Sequence, residues 1–490
     1  MSPPETALDA RKEALRPFEE AEAALVRSVV TTHAWLSEHD EAALRYALNL
    51  ARVERVRTPD GADVDLGPAL AELRGDVRAA LPAFRGAGGL DRAALLRFAP
   101  ALRARALAAR ARALLAAGGR LPPAALDREV CEKALVVVCG GGGGVAWSYL
   151  GAFQLLERYG LTPRLLAGTS MGAALALFRA HRLRWEPLEV EEVLAQLSFR
   201  SLFRFLQVDS RYGLPAAMRL YLRAAIGPFL QTADGRSPTL AELAIPLVVA
   251  VTGVRNGALP RDPSYYEHLL DAAGGGASDP PWDEEPPARF VSRTVASVFE
   301  EVGELFAQRD RLARLHLGAD ELTRDFDAID AVGFSSALPG VIHYDILRED
   351  DRMRRLLDEL FHREDLFRLV DGGLVDNLPA RAAWELVQRG HVGSRNAFVL
   401  ALEGFAPRLS QPLWYGLQQL AAGNVSWNLP FTHLHVAFQR VLSPADVVPA
   451  AADLRRAVNE GKAELHPELP FLAHMVRPFP ALEPHPNAHP

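Results

Sequence analysis

The order of apolar and polar positions divides the chain into two kinds of region. From Glu5 to about Arg120 the sequence is rich in Ala, Leu, Arg and Glu and is interrupted by polar breaks, which predicts a helical region in several pieces. From Lys133 onward, short apolar runs alternate with helical patterns. Strands that alternate with helices form a parallel sheet covered by helices on both faces. The sequence therefore predicts an α/β fold with a helical N-terminal region.

The individual elements of the second region can be placed from these patterns. The strand candidates are residues 134–139, 163–168, 245–254, 367–373 and 396–405. The helix candidates are residues 145–160, 171–183, 216–225, 291–317 and 380–389. Residues 198–222 place Phe and Leu beside Arg, which leaves two interpretations open: a lid or interfacial surface for a lipid, or ordinary core packing.

Changes in composition give the predicted domain boundaries. Residues 1–130 form the helical N-terminal region, and residues 131–405 form the α/β domain. Within that domain, residues 255–289 are rich in Gly, Pro and acidic residues, which predicts a surface insertion. Residues 406–490 form a C-terminal extension that ends in a Pro- and His-rich tail, and we expect the tail to be flexible.

Composition and charge narrow the class of protein. The 490 residues are 49% hydrophobic and 23% charged, which is typical of a globular chain. The net charge of -7 gives no reason to expect a nucleic-acid partner. Two cysteines exclude a disulfide framework and fit a reducing compartment. Because neither a secretory signal nor an apolar run of about 18–20 residues is present, we expect a cytoplasmic protein with at most peripheral membrane contact.

The first candidate for chemistry is the G-x-S-x-G sequence of residues 168–172. It lies between a predicted strand and a predicted helix, which is the context of a nucleophile elbow. In such a turn the serine hydroxyl is exposed, and Gly168 and Gly172 remove the Cβ atoms that would obstruct it. Ser170 is therefore the candidate nucleophile.

A serine hydroxyl needs a base to accept its proton. The best candidate is Asp371, because a carboxylate at the end of a buried strand can have its pKa raised by desolvation. Asp-Gly is also common in turns, so a structural role for Asp371 stays open. Asp376 and Asn377 stand just before Pro379, and we expect both to cap the following helix.

Five consecutive glycines, residues 140–144, follow the first predicted strand. A dinucleotide-binding turn is disfavoured, because the next strand ends in Ala-Gly-Thr where an acidic residue should contact the ribose. A phosphate-binding P-loop is disfavoured as well, because no Gly-Lys-Ser/Thr follows. The remaining interpretation is an oxyanion hole built from main-chain N–H groups.

The sequence as a whole resembles the patatin-like phospholipase family. The resemblance extends roughly from Ala134 to Glu403 and rests on motifs in the family order: GGGG, LGAFQLLERYGL, AGTSMGA, IPLVVAVTGVRNG, AVGFSSALPGVI and VDGGLVDNLP. It implies a three-layer fold with a mainly parallel central sheet and hydrolysis of lipid acyl esters by a Ser-Asp dyad, without a metal or an organic cofactor. Matched by motif, Ser170 is the nucleophile and Asp371 the base, and the oxyanion donors are Gly141, Gly142 and Gly143. Ser335 and Ser336 match an element of structural character.

One departure from the family pattern keeps alternatives open. Val145 and Ala146 stand where the family usually has a basic residue followed by Gly, so a cation that would position the oxyanion loop or meet a phosphate is missing. One alternative is a catalytically weakened protein that binds lipid or has a regulatory role. A second is a Ser-His-Asp hydrolase: of the candidate histidines, His433 and His435 lie late enough in the chain to complete the order Ser, Asp, His, and His343 lies just beyond the AVGFSSALPGVI motif.

Overall fold

A computed structural model describes residues 3–32, 35–85, 89–186, 196–205, 210–257, 309–404, 423–438 and 442–482. The predicted insertion from residue 258 on, the predicted helix up to residue 308 and the end of the C-terminal tail lie outside these ranges. The chain divides into two compact units. The first consists of Met1–Leu135, Trp384–Phe398 and Pro467–Pro490, and the second of Val136–Ala383 and Val399–His466.

The first unit is helical, as the sequence predicts for the N-terminal region. Its helices are α1 (Pro3–Thr31), α2 (Glu38–Arg52), α3 (Ala71–Phe84), α4 (Arg92–Ala116) and α5 (Pro123–Cys131), together with Leu469–Val476 from near the C-terminus. Strands β1 (Arg55–Arg57) and β2 (Asp63–Asp65) form a short antiparallel hairpin that the sequence pattern did not reveal. The core contains the buried ion pair between Glu22 and Lys133, at 2.8 Å.

A mainly parallel sheet forms the centre of the second unit. Its order is β10-β7-β4-β3-β11-β12, with β8 also paired to β7. Strand β4 is parallel to β3 and β7, and β11 is parallel to β12, whereas β8 and β10 run antiparallel to β7. The bounds are β3 (Ala134–Cys139), β4 (Leu165–Thr169), β7 (Leu247–Arg255), β8 (Leu312–Leu317), β10 (Leu366–Asp371), β11 (Ala397–Glu403) and β12 (Leu434–Ala437). Every residue of β3 and β4 is buried, as expected for strands covered on both faces.

Helices accompany these strands along the chain. They are α6 (Tyr149–Arg158), α7 (Met171–His181), α8 (Phe199–Leu202), α9 (Leu222–Ile226), α10 (Glu321–Arg324), α11 (Ala328–Ser335), α12 (Asp351–Glu364), α13 (Ala380–Gln388) and α14 (Ala451–Leu465). Two glycines let the chain at α6 and α14 approach closely: a Cβ at Gly461 would collide with the carbonyl oxygen of Ser148, and one at Gly151 with that of Val458. This contact lies at the start of α6, which follows the glycine loop after a 3-10 helix (Gly143–Ser148).

A second, smaller sheet consists of β5 (Phe203–Phe205), β6 (Ala216–Leu220) and β9 (Gly340–His343). The predicted helix over residues 216–225 is therefore wrong in its first half, because pairing of β6 with both neighbours overrides the helix propensity of AAMRL. The predicted helix over 291–317 is wrong for its last six residues, which form β8. In β8 exposure alternates along the strand, as is typical of a strand with one covered face.

Candidate active site

Ser170 occupies a strained turn between β4 and α7. Its φ of 53° and ψ of -130° lie in a region that non-glycine residues rarely adopt. The Ser170 N–H donates a 2.8 Å hydrogen bond to Ser335 Oγ, and the Ser335 hydroxyl in turn donates to the carbonyl oxygen of Ala250 at 2.6 Å. Ser335 is fully buried, so a side chain from α11 holds the turn from behind.

The two flanking glycines are required by close packing. A Cβ at Gly172 would collide with the carbonyl oxygens of Gly140 and Cys139 at the end of β3. A Cβ at Gly168 would lie 2.6 Å from Ala173 Cα in the first turn of α7. Both glycines therefore let α7 begin directly against the sheet, which is the geometry of a nucleophile elbow.

Asp371 lies at the end of β10 and meets Ser170. Strand β10 pairs with β7, and the Thr252 hydroxyl donates to the Asp371 carbonyl oxygen at 2.7 Å, which fixes the main chain. The carboxylate accepts a 2.7 Å hydrogen bond from the Gly373 N–H, and it lines the same cavity as Ser170. Burial raises the pKa of Asp371 to about 6, although its interactions with the Ser170 hydroxyl and the Gly373 N–H act to lower it. A carboxyl group with this pKa is largely ionised at neutral pH yet basic enough to accept a proton.

The glycine loop lies beside Ser170, and its N–H groups are not equivalent. Gly141 N–H donates to the Asn377 carbonyl oxygen at 3.1 Å, and Gly144 N–H donates to that of Pro444 at 3.1 Å. Within the described ranges, the N–H groups of Gly142 and Gly143 have no hydrogen-bond partner. Gly143 has a φ of 54°, and a Cβ there would collide with the Pro444 carbonyl oxygen. The loop thus presents two free donors, while the Gly141 donor is occupied.

A turn in the C-terminal part of the chain supports this loop. The carbonyl oxygens of Ser443 and Asp446 leave no room for a Cβ at Gly144, and that of Pro444 leaves none at Gly143. The Asp446 carboxylate accepts the Ser443 N–H at 2.9 Å and thereby closes the turn. The Trp147 indole N–H donates to the Val447 carbonyl oxygen at 3.2 Å.

Asp376 and Asn377 do not cap α13, contrary to the sequence-based expectation. The buried Asp376 carboxylate binds His316 Nε2 at 2.8 Å and Asn428 Nδ2 at 2.9 Å. The Arg381 N–H in the first turn of α13 is instead bound by Asn428 Oδ1 at 2.9 Å. Asn377 lines the cavity in front of Ser170, and its buried Nδ2 has no hydrogen-bond partner among the residues that the structure describes. Sequence reasoning missed this donor, and only the run of glycines packed around it could have suggested it.

The cavity in front of Ser170 has a volume of about 160 Å³ and is mostly apolar. The segment 198–222 supplies part of its wall, and the Phe and Leu residues of that segment that line it are Phe199, Leu202, Phe203, Leu220 and Leu222. Among the described residues none of those that line the cavity is Lys, Arg or His. Val145 and Ala146 are themselves buried. The apolar lining residues include Met171, Phe199, Leu202, Phe203, Met218, Leu220 and Ile342.

The three candidate histidines lie elsewhere in the second unit. His343 Nδ1 binds the Leu214 carbonyl oxygen at 2.8 Å. His433 Nδ1 accepts the Val399 N–H at 2.9 Å, and His435 Nε2 binds Glu403 Oε2 at 2.6 Å. None of them lines the cavity that holds Ser170 within the described part of the chain. The structure therefore brings Ser170 together with Asp371 and, among the described residues, lines their cavity with no histidine.

The fold is that of an α/β protein with a nucleophile-elbow turn at the end of a buried parallel strand. The Patatin-like phospholipase family model matches residues 137–384, about half of the chain. The chain therefore belongs to the patatin-like phospholipase family, a family of lipid acyl hydrolases. A search of the curated proteins found no match. Of the helices that the structure describes, none has the length and apolar character needed to cross a membrane.

Proposed function

We propose that the protein hydrolyses acyl esters of lipids with Ser170 as nucleophile and Asp371 as general base. The observation that supports this most directly is that Ser170 lines the same cavity as the buried Asp371 carboxylate, whose pKa is raised to about 6 and which interacts with the Ser170 hydroxyl. A nucleophile beside a base of matched pKa is the arrangement that covalent acyl transfer needs.

The reaction follows from this contact. Ser170 Oγ attacks the ester carbonyl carbon while its proton passes to the Asp371 carboxylate. The C–O bond to the alcohol then breaks, and the alcohol leaves with that proton, so an acyl-serine remains. Water attacks the acyl-serine and gives its proton to Asp371. The fatty acid is released when Ser170 Oγ takes a proton back and the dyad returns to its starting state.

The oxyanion of each tetrahedral intermediate needs hydrogen-bond donors. The N–H groups of Gly142 and Gly143 supply two of them, and the buried Asn377 Nδ2 supplies a third; none of these three donors is bound by another described residue. Gly141 shapes the loop instead, because its N–H is bound to Asn377 and a Cβ there would lie 2.5 Å from Asn377 Oδ1. Each such donor typically contributes about 3–4 kcal/mol to transition-state stabilisation.

The turn at residues 443–446 positions the glycine loop, which is one of the two roles expected of the missing cation. A basic residue would hold the glycine loop by charge, whereas here main-chain carbonyls hold it by the Gly144–Pro444 hydrogen bond and by contact. With Val145 in that position, the loop is positioned without a charge that could also attract a phosphate.

The lining of the cavity favours the acyl part of a lipid over a charged head group. Apolar side chains next to Ser170 suit a hydrocarbon chain, since burial of apolar surface contributes roughly 25 cal/mol per Å². The cavity offers no cation to a phosphate among the described residues. We expect neutral acyl esters, such as monoacylglycerols, to be hydrolysed at least as fast as phospholipids, with any membrane contact being peripheral.

The test compares wild-type protein with Ser170→Ala and Asp371→Asn over a panel of neutral and phosphorylated lipids. A fluorophosphonate probe should label Ser170 of the wild-type protein, and both variants should lose hydrolysis while keeping their far-ultraviolet circular dichroism. His433→Ala and His435→Ala serve as controls and should keep full activity. Absence of labelling and hydrolysis in the wild type would favour a lipid-binding role, and loss of activity only in a histidine variant would favour a Ser-His-Asp enzyme.

A further inference from the structure

A second cavity of the same unit is lined by arginines. Its volume is about 430 Å³, within the range of roughly 300–1,000 Å³ that is typical of small-molecule sites. Asp345 is the one acidic residue among the described residues that line it, and the chain as a whole carries a net charge of -7. The cavity is therefore a local concentration of positive charge. The five arginines are Arg211, Arg219, Arg348, Arg354 and Arg368.

The carboxylate of the acidic residue in this cavity accepts hydrogen bonds from main-chain N–H groups. Asp345 Oδ2 accepts the N–H groups of Arg211 at 2.7 Å and Tyr212 at 3.1 Å, and Oδ1 accepts that of Ile346 at 3.0 Å. Within the described part of the chain, Arg354 pairs with Asp351 and His343 Nε2 lies 3.9 Å from Asp345 Oδ2, whereas Arg211 and Arg219 form no ion pair with a carboxylate. The negative charge therefore shapes the loop instead of neutralising a guanidinium group at short range.

Two of the guanidinium groups are held by the protein in ways that preserve their charge. Arg368 donates to the carbonyl oxygens of Phe367, at 2.8 Å, and Ser210, at 3.2 Å. Arg219 lies over the ring of Tyr221 at 5.6 Å from its centroid. Burial lowers the pKa of the neighbouring His343, and the charges of Arg219 and Arg368 lower it further.

Strand β6 separates this cavity from the candidate active site. Successive side chains of a strand point to opposite faces of its sheet. Met218 and Leu220 line the apolar cavity, whereas Arg219 between them lines the arginine cavity. The two cavities therefore share one strand as a wall, with apolar chemistry on one face and cationic chemistry on the other.

We propose that the arginine cavity binds an anion that carries a phosphate group. Guanidinium groups form paired, charge-assisted hydrogen bonds to phosphate oxygens. The positive charge of the arginines that line this cavity exceeds the single negative charge of Asp345. The volume exceeds that of a bare phosphate and leaves room for a small organic group. The phosphate comes from a free phosphate ester or from the head group of an anionic lipid. This site rests on the arginines alone and does not depend on the roles of Ser170 and Asp371.

The experiment measures binding to the full chain by isothermal titration calorimetry with inorganic pyrophosphate and with glycerol 3-phosphate. Arg219→Gln and Arg354→Gln should each weaken binding about tenfold or more, the loss expected for one charge-assisted hydrogen bond. Arg355→Gln is the matched control, because it removes the same charge from the next residue of α12, which does not line the cavity. Arg219→Lys, which keeps the charge, should retain part of the affinity. Thermal unfolding without ligand identifies any variant that fails to fold.

A second arm uses flotation with phosphatidylcholine vesicles that contain or lack phosphatidic acid, with Ser170→Ala protein to prevent hydrolysis. Binding of the soluble esters that depends on Arg219 identifies a free phosphate ester as the ligand. Binding only to phosphatidate vesicles, again dependent on Arg219, identifies a lipid head group. The proposal is overturned if neither probe binds, or if Arg355→Gln weakens binding as much as the cavity variants do.

Discussion

The main-chain N–H of Ser170 donates a 2.8 Å hydrogen bond to the side-chain oxygen of Ser335. A buried hydroxyl group from α11 therefore satisfies the donor of the most strained residue at the site. The motif that contains Ser335 is structural in the sense expected from the sequence, yet it acts directly on the residue proposed as nucleophile.

Ser335→Ala should lower kcat about tenfold to a hundredfold with little change in KM. The substitution leaves the Ser170 N–H buried and unpaired, and small displacements of a nucleophile cost rate steeply. Thr323→Ala is the matched control, because Thr323 Oγ1 also accepts a buried main-chain N–H, that of Gly318 at 3.0 Å, away from the site. Steady-state kinetics on one acyl ester checks this, and equal kcat values in the wild type and Ser335→Ala would contradict it.

The pH dependence of kcat/KM should show an ascending limb near pH 6. Asp371 must be ionised to accept the Ser170 proton, and burial raises its pKa to about 6. Activity should therefore rise with pH through this value and level off above it. The measurement is a profile of kcat/KM from pH 4 to 9 with the product separated by chromatography. An ascending limb centred near pH 4 would mean that Asp371 is not the base.

Asp371→Asn should make the protein more stable at neutral pH while abolishing activity. The folded-state pKa of Asp371 lies above its ordinary value of 3.8, so its stabilising contribution is complete below that value and is lost as pH rises through about 6. The ionised form consequently costs on the order of 2–3 kcal/mol at pH 8. Urea unfolding should show this gain for Asp371→Asn at pH 8 and almost none at pH 4. The same gain at both pH values would assign it to packing.

Asn377→Ala should lower kcat on the order of a hundredfold, with KM and stability almost unchanged. Its Nδ2 makes no hydrogen bond to any described residue, so its removal should cost little folding energy, while the oxyanion loses a donor. Asn428→Ala provides the contrast. Its amide binds both Asp376 and Arg381, so unfolding should become easier by about 1–3 kcal/mol. If Asn377→Ala instead loses stability and keeps its kcat, the amide has a structural role.

Asp446→Ala should lower kcat about tenfold without a comparable change in KM. The carboxylate closes the turn that presents the Pro444 carbonyl oxygen to Gly144, so its loss loosens the glycine loop. Asp446→Asn keeps an acceptor oxygen and should restore most of the rate. Asp350→Ala is the control. The Asp350 carboxylate, at the start of α12, also binds a main-chain N–H three residues away in sequence, and its loss should leave kcat unchanged. Equal rates in all three variants would contradict a positioning role.

The sequence predicts those parts of this structure that depend on short, continuous segments of the chain. Strands β3 and β4, the elbow at Ser170 and the strand end at Asp371 all follow from buried apolar runs next to turn residues. The state of the oxyanion donors could not be predicted, because whether Gly141 N–H is free depends on Asn377, which is distant in sequence. The arginine cavity could not be predicted for the same reason, because its five arginines come from separate segments that only the tertiary structure brings together.

The turn around Pro444 has a consequence for how the protein can be divided. Family similarity ends at residue 384, and a fragment cut there would still contain Ser170 and Asp371. It would lack β11 and β12, the Leu402 carbonyl that holds Gly140, and the Pro444 carbonyl that holds Gly144. Such a fragment would carry Ser170 and Asp371 but only one of the three main-chain hydrogen bonds that hold Gly140, Gly141 and Gly144, the one to Asn377. The smallest fragment expected to be catalytically active is therefore longer than the region that matches the family model.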